Sequence, residues 1–568
     1  MKFPRSVLTF WPLHVSRPII RFLVQKDAAG CSGMQELEDK LNEGFAELYS
    51  SLPAAELHLG AKVVPSPLGD VTKPKEDGTT KHRLIQDLRA SRVNDSSAVA
   101  ERQVLPRFGD HALDVAVASQ NSPDAFDTLI LDFSHAFMTV PLHGRERPLA
   151  VSICPQGVKR TRPPLYLGEP TRGSVLCWRV LGFGGHANPL IYSRVASFAI
   201  RSGQALLHSR PSQSGIGSAR CQLYVDDPAI VCEGTAQQRR RAYDVLLTWW
   251  QVLGIPLAWS KGSITNDCHT WIGVQFRSVA PGVCRMTVSA AYLSSLANML
   301  KPLAKGKGAV TWKTAEQIAG KVGRLSHVVP LARPYAQMCY AALAAAKTAA
   351  RGGAKESSPS MVAARRFQTA ARWILALITG GQTWIVPLCQ DVYASSPPAP
   401  SASVLAFEFD ASTTGGGGVL WANSRPIRWW QLRWTAAHVH RIAPRARTGE
   451  PAFQTFWEYL ALFISLLLWA RPREPIAIIG DNTGALQLAI DLNGENGLLA
   501  ISREVAWRRA RHGWTYGAGH LPTEANSLAD ALSRLVKGER VPLQLRSLQE
   551  FDAPDVSALW VAASPPIS

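Results

Sequence analysis

Residues 221–232 read CQLYVDDPAIVC, two short apolar runs on either side of the adjacent acids Asp226 and Asp227. Because Asp-rich tight turns join antiparallel strands, this stretch predicts a β-hairpin with both acids at its tip. Adjacent carboxylates repel each other, and divalent cations would neutralise them. A solvated Asp-Asp turn is the alternative for an isolated dipeptide, so the surrounding sequence has to decide between the two interpretations.

A further acid follows an apolar run upstream, in residues 128–132, which read TLILD. This run predicts a strand that delivers Asp132 to its edge. Three carboxylates, from Asp132 and the hairpin, would suit the transfer of a nucleotide to a 3′-hydroxyl. That reaction uses two divalent cations, one to lower the pKa of the attacking hydroxyl and one to stabilise the leaving pyrophosphate.

Acids follow apolar patterns again beyond residues 394–403, which read ASSPPAPSAS and have the composition of an extended linker. Residues 404–410 predict a strand that ends in Asp410, and the glycine run 415–418 predicts a turn into the next strand. Residues 475–480 predict a buried strand that delivers Asp481. The remaining acids are Glu458, which lies in a helical pattern, and Asp530, which shares a helix face with Asn526.

The bulk composition limits the class of protein. A chain of 568 residues predicts three or four domains, and a formal net charge of +18 favours a polyanionic partner, although a basic protein without such a partner has the same balance. None of the nine cysteines forms a C-x-x-C pair, which argues against a zinc finger and favours a reducing compartment. The first 24 residues are too interrupted for a signal peptide, and the apolar residues 460–470 are too few to span a membrane. We therefore expect an intracellular protein, cytoplasmic or nuclear, without a membrane partner.

The order of motifs between residues 61 and 276 resembles the reverse transcriptase family. Residues 73–89 resemble its fingers hairpin, residues 131–142 its first palm motif, residues 181–192 the loop and helix under the template–primer base pair, and residues 254–273 its later palm segments. The resemblance implies that Asp132, Asp226 and Asp227 bind metal. It also implies a nucleotide-binding set of Lys75, Lys81, Arg83, Phe137, Phe183, Tyr224 and Lys261.

Phe137 has a special place in this resemblance, which puts an aromatic ring under the sugar of the incoming nucleotide. Such a ring leaves no room for a 2′-hydroxyl and favours deoxynucleotides; the alternative is that Phe137 belongs to the core. Three positions depart from the family pattern: Gly182 replaces the usual proline, Pro228 follows the acid pair and removes a ladder donor, and His135 occupies a variable polar position. None of the departures removes a metal ligand.

The order of acids between residues 404 and 535 resembles the ribonuclease H family. The resemblance implies that Asp410, Glu458, Asp481 and Asp530 hold two divalent metals, Mg²⁺ or Mn²⁺, as in the polymerase site. It also implies that His520 lies on a flexible loop and assists proton transfer or product release, since a histidine pKa lies near neutrality. A structural histidine at a helix start is the alternative.

Taken together, these features predict an α/β protein with an α+β palm: a right-hand polymerase with fingers, palm and helical thumb or connection, followed by a ribonuclease H-like mixed-sheet domain. The expected boundaries are 1–60 without a recognisable motif, 61–280 for fingers and palm, 281–393 for thumb and connection, 394–403 for the linker, 404–536 for the nuclease, and 537–568 for a tail. The resemblance is to retrotransposable elements of the LTR/DIRS-like kind. The implied partners are an RNA template, a DNA primer, the RNA–DNA hybrid and deoxynucleoside triphosphates, and the oligomeric state stays open.

Two alternatives remain at this stage. A decayed or domesticated descendant would be a non-catalytic nucleic-acid-binding scaffold, although such descendants tend to lose metal acids first and all the acids are present here. A DNA-templated polymerase is the other, and the nuclease resemblance makes an RNA template the better interpretation. The lysines of residues 301–313 either lie along the hybrid backbone or form a solvated basic face.

Overall fold

A computed structural model describes residues 31–74, 80–99, 101–155, 158, 173–207, 217–351, 361–380, 388–395, 405–535, 538 and 540–557. The chain divides into two compact units. The first comprises Met1–Ile272 with Ala280–Gly282, and the second comprises Gly273–Val279 with Val283–Ser568. Each unit is described by itself.

The first unit alternates short strands and helices. Its helices are α1 (Cys31–Asn42), α2 (Leu52–Leu59), α3 (Phe108–Asn121), α4 (Asn188–Leu207) and α5 (Ala236–Val252). Its strands are β1 (Ala46–Tyr49), β2 (Pro65–Ser66), β3 (Leu68–Pro74), β4 (Thr80–Gln86), β5 (Phe126–Ile130), β6 (Val151–Ile153), β7 (Val175–Trp178), β8 (Ser218–Tyr224), β9 (Asp227–Glu233), β10 (Ser263–Thr265) and β11 (Cys268–Trp271).

The sheet that carries the first set of acids is antiparallel, with strand order β10-β5-β9-β8. Helices α4 and α5 pack on this sheet, and the fully buried Ile230, Leu246 and Trp250 lie in the core between them. Because every second residue of a strand faces the same side, the apolar residues of β5 and β9 reach this core while the acids stay at the strand ends.

Two smaller sheets complete the first unit. Strands β3 and β4 form an antiparallel hairpin that pairs Val71 with Arg83, as the fingers resemblance predicts. Strands β1, β7, β6 and β2 form a four-stranded sheet. Residues 1–60 carry no recognisable motif, yet α1, β1 and α2 lie there. Leu48 of β1 is buried in the same core as Trp178.

The second unit begins with strands and helices and ends in a large sheet. Its helices are α6 (Ala290–Ala304), α7 (Trp312–Val328), α8 (Arg333–Arg351), α9 (Gln368–Thr379), α10 (Ala436–Val439), α11 (Gln454–Trp469), α12 (Thr483–Asp491), α13 (Gly497–His512) and α14 (Ser527–Ser533). Its strands are β12 (Val274–Ala280), β13 (Val283–Thr287), β14 (Ala309–Thr311), β15 (Met361–Ala363), β16 (Cys389–Tyr393), β17 (Leu405–Ala411), β18 (Gly415–Ala422), β19 (Arg425–Arg433), β20 (Pro475–Gly480), β21 (Thr515–His520) and β22 (Gln549–Glu550).

The large sheet has the strand order β21-β20-β17-β18-β19-β22. Strand β17 pairs antiparallel with β18 and parallel with β20, so the sheet is mixed. Helix α11 packs on β17 and β18, and its residues from Phe456 to Leu466 are all buried. The segment Pro451–Trp469 is long and apolar enough to cross a membrane by length and composition, but most of it is enclosed within this fold.

The glycine run of residues 415–418 differs from its expected structure. It is not a turn but the first half of strand β18, and the turn is formed by residues 412–414. A Cβ atom on Gly417 would lie 2.4 Å from the Cβ of Leu532, and one on Gly416 would lie 2.5 Å from the Trp434 ring. These glycines let a helix and an indole approach the strand backbone closely, a need that only the tertiary structure reveals.

The helical part of the second unit packs against the mixed-sheet part. The ring of Trp373 on α9 lies edge-on to Trp507 on α13, with 4.9 Å between the centroids. The Arg503 guanidinium lies 4.9 Å from the centroid of the Trp373 ring, and the Tyr335 hydroxyl donates to the Arg503 carbonyl at 3.1 Å. Residues on both sides of the Pro/Ser-rich segment thus share one core. That segment, 394–403, lies outside the described residues except for its first two.

The predicted fold class is confirmed: the chain is mixed α/β, with a palm-type antiparallel sheet and a separate mixed-sheet region. Within the segment expected to be helical, Trp312–Val328 and Arg333–Arg351 form α7 and α8.

Candidate active sites

The first site is built around the hairpin of β8 and β9. Tyr224 pairs with Asp227, so the two-residue turn consists of Val225 and Asp226. The prediction that both acids lie at the tip is therefore wrong by one residue, because Asp227 already belongs to β9. Val225 has a φ of 60°, a strained conformation for a β-branched residue. The turn places the backbone of Asp226 next to the chain that follows β5.

Asp132 lies beside this turn. The chain leaves β5 at Ile130, and the Phe133 N–H donates to the Asp226 carbonyl at 2.9 Å. The Asp132 carbonyl accepts from the Ala258 N–H at 2.9 Å, which fixes the segment from the other side. The Lys261 ammonium forms an ion pair with the Asp132 carboxylate. The structure thus brings together Asp132, Asp226 and Lys261 from three separate segments.

The electrostatics of this site favour a cation. Burial raises the pKa of Asp226, and the negative charge of Asp132 raises it further. The positive charges of Arg83 and Lys261 act in the opposite direction. Carboxylate oxygens are the ligands that Mg²⁺ prefers, and a partly buried acid with a second negative charge beside it fits a divalent cation.

Several of the predicted nucleotide-binding residues form one aromatic group. The Arg83 guanidinium lies 5.6 Å from the Phe183 ring centroid, and the Phe183 ring lies edge-on to Phe137 at 5.2 Å. Phe137 also lies 5.3 Å from Tyr192, whose pKa is raised by burial and by the site's three acids. Phe137 is half-buried, so it packs on the core and still presents part of its ring.

Of the three lysines predicted for this site, Lys261 contacts Asp132, and the other two are Lys75 and Lys81. Lys81 belongs to β4, where it pairs with Lys73, and Lys75 lies outside the described residues.

Trp271 forms a second aromatic contact, which supports the β8–β9 hairpin. The Trp271 indole N–H donates to the Asp227 carbonyl at 2.9 Å, and the Tyr224 ring lies edge-on to Trp271 at 6.5 Å. Trp271 is almost fully buried. The family resemblance places Trp271 in the palm segment that holds the primer end, but an isolated tryptophan in a short strand gives no signal of this contact.

The loop of residues 182–188 packs on the end of β4. Gly184 has a φ of 121°, and a Cβ there would lie 2.0 Å from the Gln86 carbonyl oxygen, so no other residue fits. The Asn94 amide donates to the Gly184 carbonyl at 2.9 Å, and its oxygen accepts from the His186 N–H at 2.8 Å. Asn94 is a positioning residue for this loop that the sequence motifs did not indicate.

The three departures from the family pattern are accommodated. Strand pairing continues in register through Pro228, whose carbonyl accepts from the Leu131 N–H at 3.2 Å. His135 has a φ of 53° and its ring nitrogen lies 3.0 Å from the Lys40 ammonium. At Gly182, a Cβ would lie 3.0 Å from the Gln86 side-chain nitrogen, which leaves little room for a larger residue.

The second site lies at one end of the mixed sheet. Asp410 is the sixth residue of β17, Asp481 directly follows the neighbouring β20, and Glu458 points from α11. One carboxylate oxygen from each of these three residues lies within 4.8 Å of the others. Asp530, at the start of α14, is not part of this group; it forms an ion pair with Arg534 at 2.6 Å, and its charge contributes to raising the Asp410 pKa.

Burial dominates the electrostatics of the second site. It raises the pKa of Glu458 to about 9, with a further contribution from the charge of Asp410. It raises the pKa of Asp410 to about 6. Gln454 donates to Oε1 of Glu458 at 2.9 Å, but Oε2 is buried without a hydrogen-bond partner. A buried carboxylate oxygen without a donor, beside two further carboxylates, is the arrangement that a divalent cation satisfies.

His520 occupies a different element from the one expected. It is the last residue of strand β21, paired with Gly480, and not part of a flexible loop. The following N–H, of Leu521, donates to the Gly480 carbonyl at 2.9 Å. This pairing places the backbone of His520 next to the strand end that delivers Asp481, and His520 is exposed. Asn526, predicted to share a face with Asp530, is buried and donates to the Phe409 carbonyl at 3.1 Å.

The segment that contains the first site is similar to a known family. Residues 73–276 match the family model of reverse transcriptase (RNA-dependent DNA polymerase). No curated protein matches the sequence.

The chain is also similar to solved structures of the foamy viral protease-reverse transcriptase. The form described as dRH, in complex with double-stranded DNA, has 13% identity and a TM-score of 0.43, over 88% of this chain and 70% of that one. A complex with double-stranded DNA has 13% identity and a TM-score of 0.42, over 88% and 84%. A complex with an RNA/DNA hybrid has 14% identity and a TM-score of 0.42, over 88% and 54%.

Proposed function

We propose that the chain is an RNA-directed DNA polymerase that also cleaves RNA in RNA–DNA hybrids. The observation that carries the polymerase function is the position of the Asp226 turn beside Asp132, fixed by the Phe133 N–H bond to the Asp226 carbonyl, within the segment that matches the reverse transcriptase family. Lys261 and the Arg83–Phe183 pair lie on the same site. Acids that can hold a metal, basic side chains and aromatic rings in this arrangement suit the binding of a nucleoside triphosphate and a primer end.

The proposed roles follow from this geometry. A divalent cation, Mg²⁺ or Mn²⁺, would be held by Asp132, Asp226 and Asp227, and would supply a lowered hydroxyl pKa and charge neutralisation at the phosphates. Arg83 binds the triphosphate, since a guanidinium forms paired hydrogen bonds with phosphate oxygens. Phe137, supported by Phe183 and Tyr192, contacts the sugar. Lys261, which forms an ion pair with Asp132, would contact the incoming nucleotide.

Primer extension tests the polymerase function. The full chain, Mg²⁺, deoxynucleoside triphosphates and a DNA primer on an RNA template should give full-length DNA. A DNA template in a parallel reaction measures template preference. If the chain binds the primed template but extends neither, the proposal is wrong and a non-catalytic nucleic-acid-binding scaffold replaces it.

A specific observation favours the second activity. Asp410, Glu458 and Asp481 converge at one end of the mixed sheet, with a buried Glu458 oxygen that lacks a donor. We propose that they hold divalent cations for hydrolysis of the RNA strand. Asp530 contributes once its ion pair with Arg534 opens, and His520 carries protons at the exposed end of β21. Hydrolysis of a labelled RNA strand in a hybrid, with single-stranded RNA as the control, tests this activity.

The two activities belong together chemically, because copying RNA produces a hybrid whose RNA strand has to be removed before the second DNA strand is made. We therefore propose a retrotransposable element of the LTR/DIRS-like kind as the source and an intracellular site of action, cytoplasmic or nuclear. Detection of new DNA copies of the element in its host cells tests both proposals.

A further inference from the structure

Residues 435–453 form a long connection between β19 and α11, and both of its ends reach the second site. At the first end, the Trp434 indole N–H donates to the Ser412 carbonyl at 3.0 Å, two residues after Asp410. At the other end, the side chain of Gln454 donates to the Ala411 carbonyl and to Glu458. The connection, called here the arginine loop, is therefore anchored beside the carboxylate cluster.

The arginine loop is strongly basic. Residues 435–453 contain three arginines and a single acid, Glu450. Arg441, Arg445 and Arg447 are exposed, and none of the three forms an ion pair with a carboxylate among the described residues. Exposed arginines usually find carboxylate partners or solvent, but three on one loop beside an acidic site concentrate positive charge where a polyanion has to approach.

The loop also has a defined path over the protein. Val439 is buried, and a Cβ on Gly497 would lie 2.9 Å from the Cβ of Ala443, so the loop rests closely on the start of α13. The Gly449 N–H donates to the Thr413 carbonyl at 2.9 Å. Arg447 is two residues before Gly449, a distance of at most about 7 Å along the chain. The backbone of Arg447 is thus close to the turn that follows Asp410.

We propose that the arginine loop binds the sugar–phosphate backbone of the RNA–DNA hybrid, through Arg441, Arg445 and Arg447, and holds it against the carboxylate cluster. This inference rests on the proposed nuclease function. Arginine suits the role because its planar guanidinium binds phosphate through two hydrogen bonds and stays charged at every relevant pH. The carboxylates repel the duplex, and the loop supplies the opposite charge beside them.

Cleavage kinetics of the full chain test the proposal. The variant with Arg441→Gln, Arg445→Gln and Arg447→Gln should raise the KM for hybrid cleavage by about ten-fold or more and leave kcat within about two-fold, because these arginines bind phosphate equally in the ground state and the transition state. The slope of log KM against log salt concentration should decrease by about three, because each substituted arginine leaves one phosphate that is no longer neutralised. Primer extension by the same variant reports that the chain is folded.

A matched control removes the same charge from the opposite end of the sheet. Arg425 is the first residue of β19 and pairs with Ala422 at the far end of β18, while Arg471 and Arg473 precede β20. All three are exposed. Substituting these three arginines by glutamine should leave the KM for cleavage unchanged. An equal rise in KM in both variants would mean that net charge alone matters, and would overturn the proposal.

Chemical protection gives a readout that does not need cleavage. Phenylglyoxal modifies exposed arginines, and mass spectrometry measures the modification of each one with and without a hybrid. Arg441, Arg445 and Arg447 should be protected, and Arg471 should not. If the parent chain fails to cleave the hybrid, the nuclease function is wrong, and the protection experiment alone decides whether the loop binds it. Unprotected loop arginines, or an unchanged KM in an active chain, overturn the inference.

Discussion

Gln454 donates a hydrogen bond of 2.9 Å to Glu458, one turn further along α11, and thereby satisfies only one of its two carboxylate oxygens. The other oxygen is buried without a partner. An unsatisfied buried acceptor costs about 1–3 kcal/mol, so this oxygen lowers the stability of the folded protein. A cation bound by Asp410, Glu458 and Asp481 would remove that penalty.

The first prediction concerns pH and metal together. Glu458 and Asp410 have pKa values raised to about 9 and about 6, against 4.5 and 3.8 in the unfolded chain. At a pH between the unfolded and folded pKa values of a group, the folded protein holds a proton that the unfolded chain has released. Without metal, the free energy of unfolding therefore falls as the pH rises from about 4 to about 9. The expected decrease in the free energy of unfolding is on the order of a few kcal/mol.

Thermal unfolding in a chelator, followed across this pH range, measures the effect. Mg²⁺ should raise the Tm more at pH 8 than at pH 5, because the ionised carboxylates bind it. Glu458→Gln should flatten the pH dependence in the chelator and weaken the stabilisation by Mg²⁺. A Tm in chelator that rises with pH would contradict the assigned pKa shifts.

The second prediction concerns the polymerase acids. Asp132→Asn or Asp226→Asn should reduce DNA synthesis by at least about 100-fold and leave hybrid affinity nearly intact, since both side chains are proposed metal ligands and not packing groups. Primer extension and equilibrium binding measure the two properties. Asp244→Asn, on the exposed face of α5, is the matched control and should extend normally. Normal extension by Asp226→Asn at saturating Mg²⁺ would remove it from the site.

The third prediction concerns Phe137. Its ring lies against Phe183 and Tyr192 and is only half-buried, so Phe137→Val should open space for a 2′-hydroxyl and relax the discrimination against ribonucleotides by about ten-fold or more. Relative incorporation of ribo- and deoxynucleotides measures the ratio. The exposed Phe198→Val is the control for the same substitution on the nearby α4. An unchanged ratio in a folded variant means that Phe137 only belongs to the core.

The fourth prediction separates the activities. Asp481→Asn removes a charge from the second site without changing its volume much, so RNA cleavage should fall by at least about 100-fold while DNA synthesis continues. One hybrid with labels on primer and RNA reports both activities. The exposed Glu474→Gln, before the same strand, should change neither. Loss of both activities in folded Asp481→Asn protein would contradict two independent sites.

The fifth prediction concerns the glycine strand. Because a Cβ on Gly417 would lie 2.4 Å from Leu532 on α14, Gly417→Ala should displace that helix and destabilise the protein by about 1–3 kcal/mol. Asp530 is on the same helix, so hybrid cleavage should fall as well. Gly517→Ala, in strand β21 with nothing within 4 Å, should have little effect on either property. Chemical denaturation and cleavage rates measure the two changes.

Sequence patterns located the acids well for a physical reason. Asp481 directly follows a strand, Asp132 lies two residues after the end of one, and Asp410 lies next to the end of one, so an apolar run that stops at a charge marks the sheet edge. The pattern did not reveal contacts between distant segments. The glycines of β18 are explained by Leu532 and Trp434, and the role of Trp271 by the carbonyl of Asp227.

Turns and termini were predicted less well, because they depend on register. A shift of one residue moved Asp227 from the expected turn into β9, and the pairing with Gly480 placed His520 in a strand. Strand β1 of the N-terminal part is only four residues long, too short for a periodic pattern, and it is stabilised by pairing with β7 from more than 120 residues later.

Helix α11 has a consequence for the synthesis of the chain. Its only charged residue is Glu458, and the groups that cover it include the Leu488 carbonyl and the Ser502 hydroxyl, both within 3.3 Å of the Tyr459 hydroxyl. The ribosome makes α13, which ends at His512, about 40 residues after α11 ends at Trp469, an interval of roughly 2 to 8 s. During that interval the nascent chain carries an uncovered apolar helix, a binding target for chaperones, so the helix that delivers Glu458 to the second site also makes the growing chain prone to aggregation.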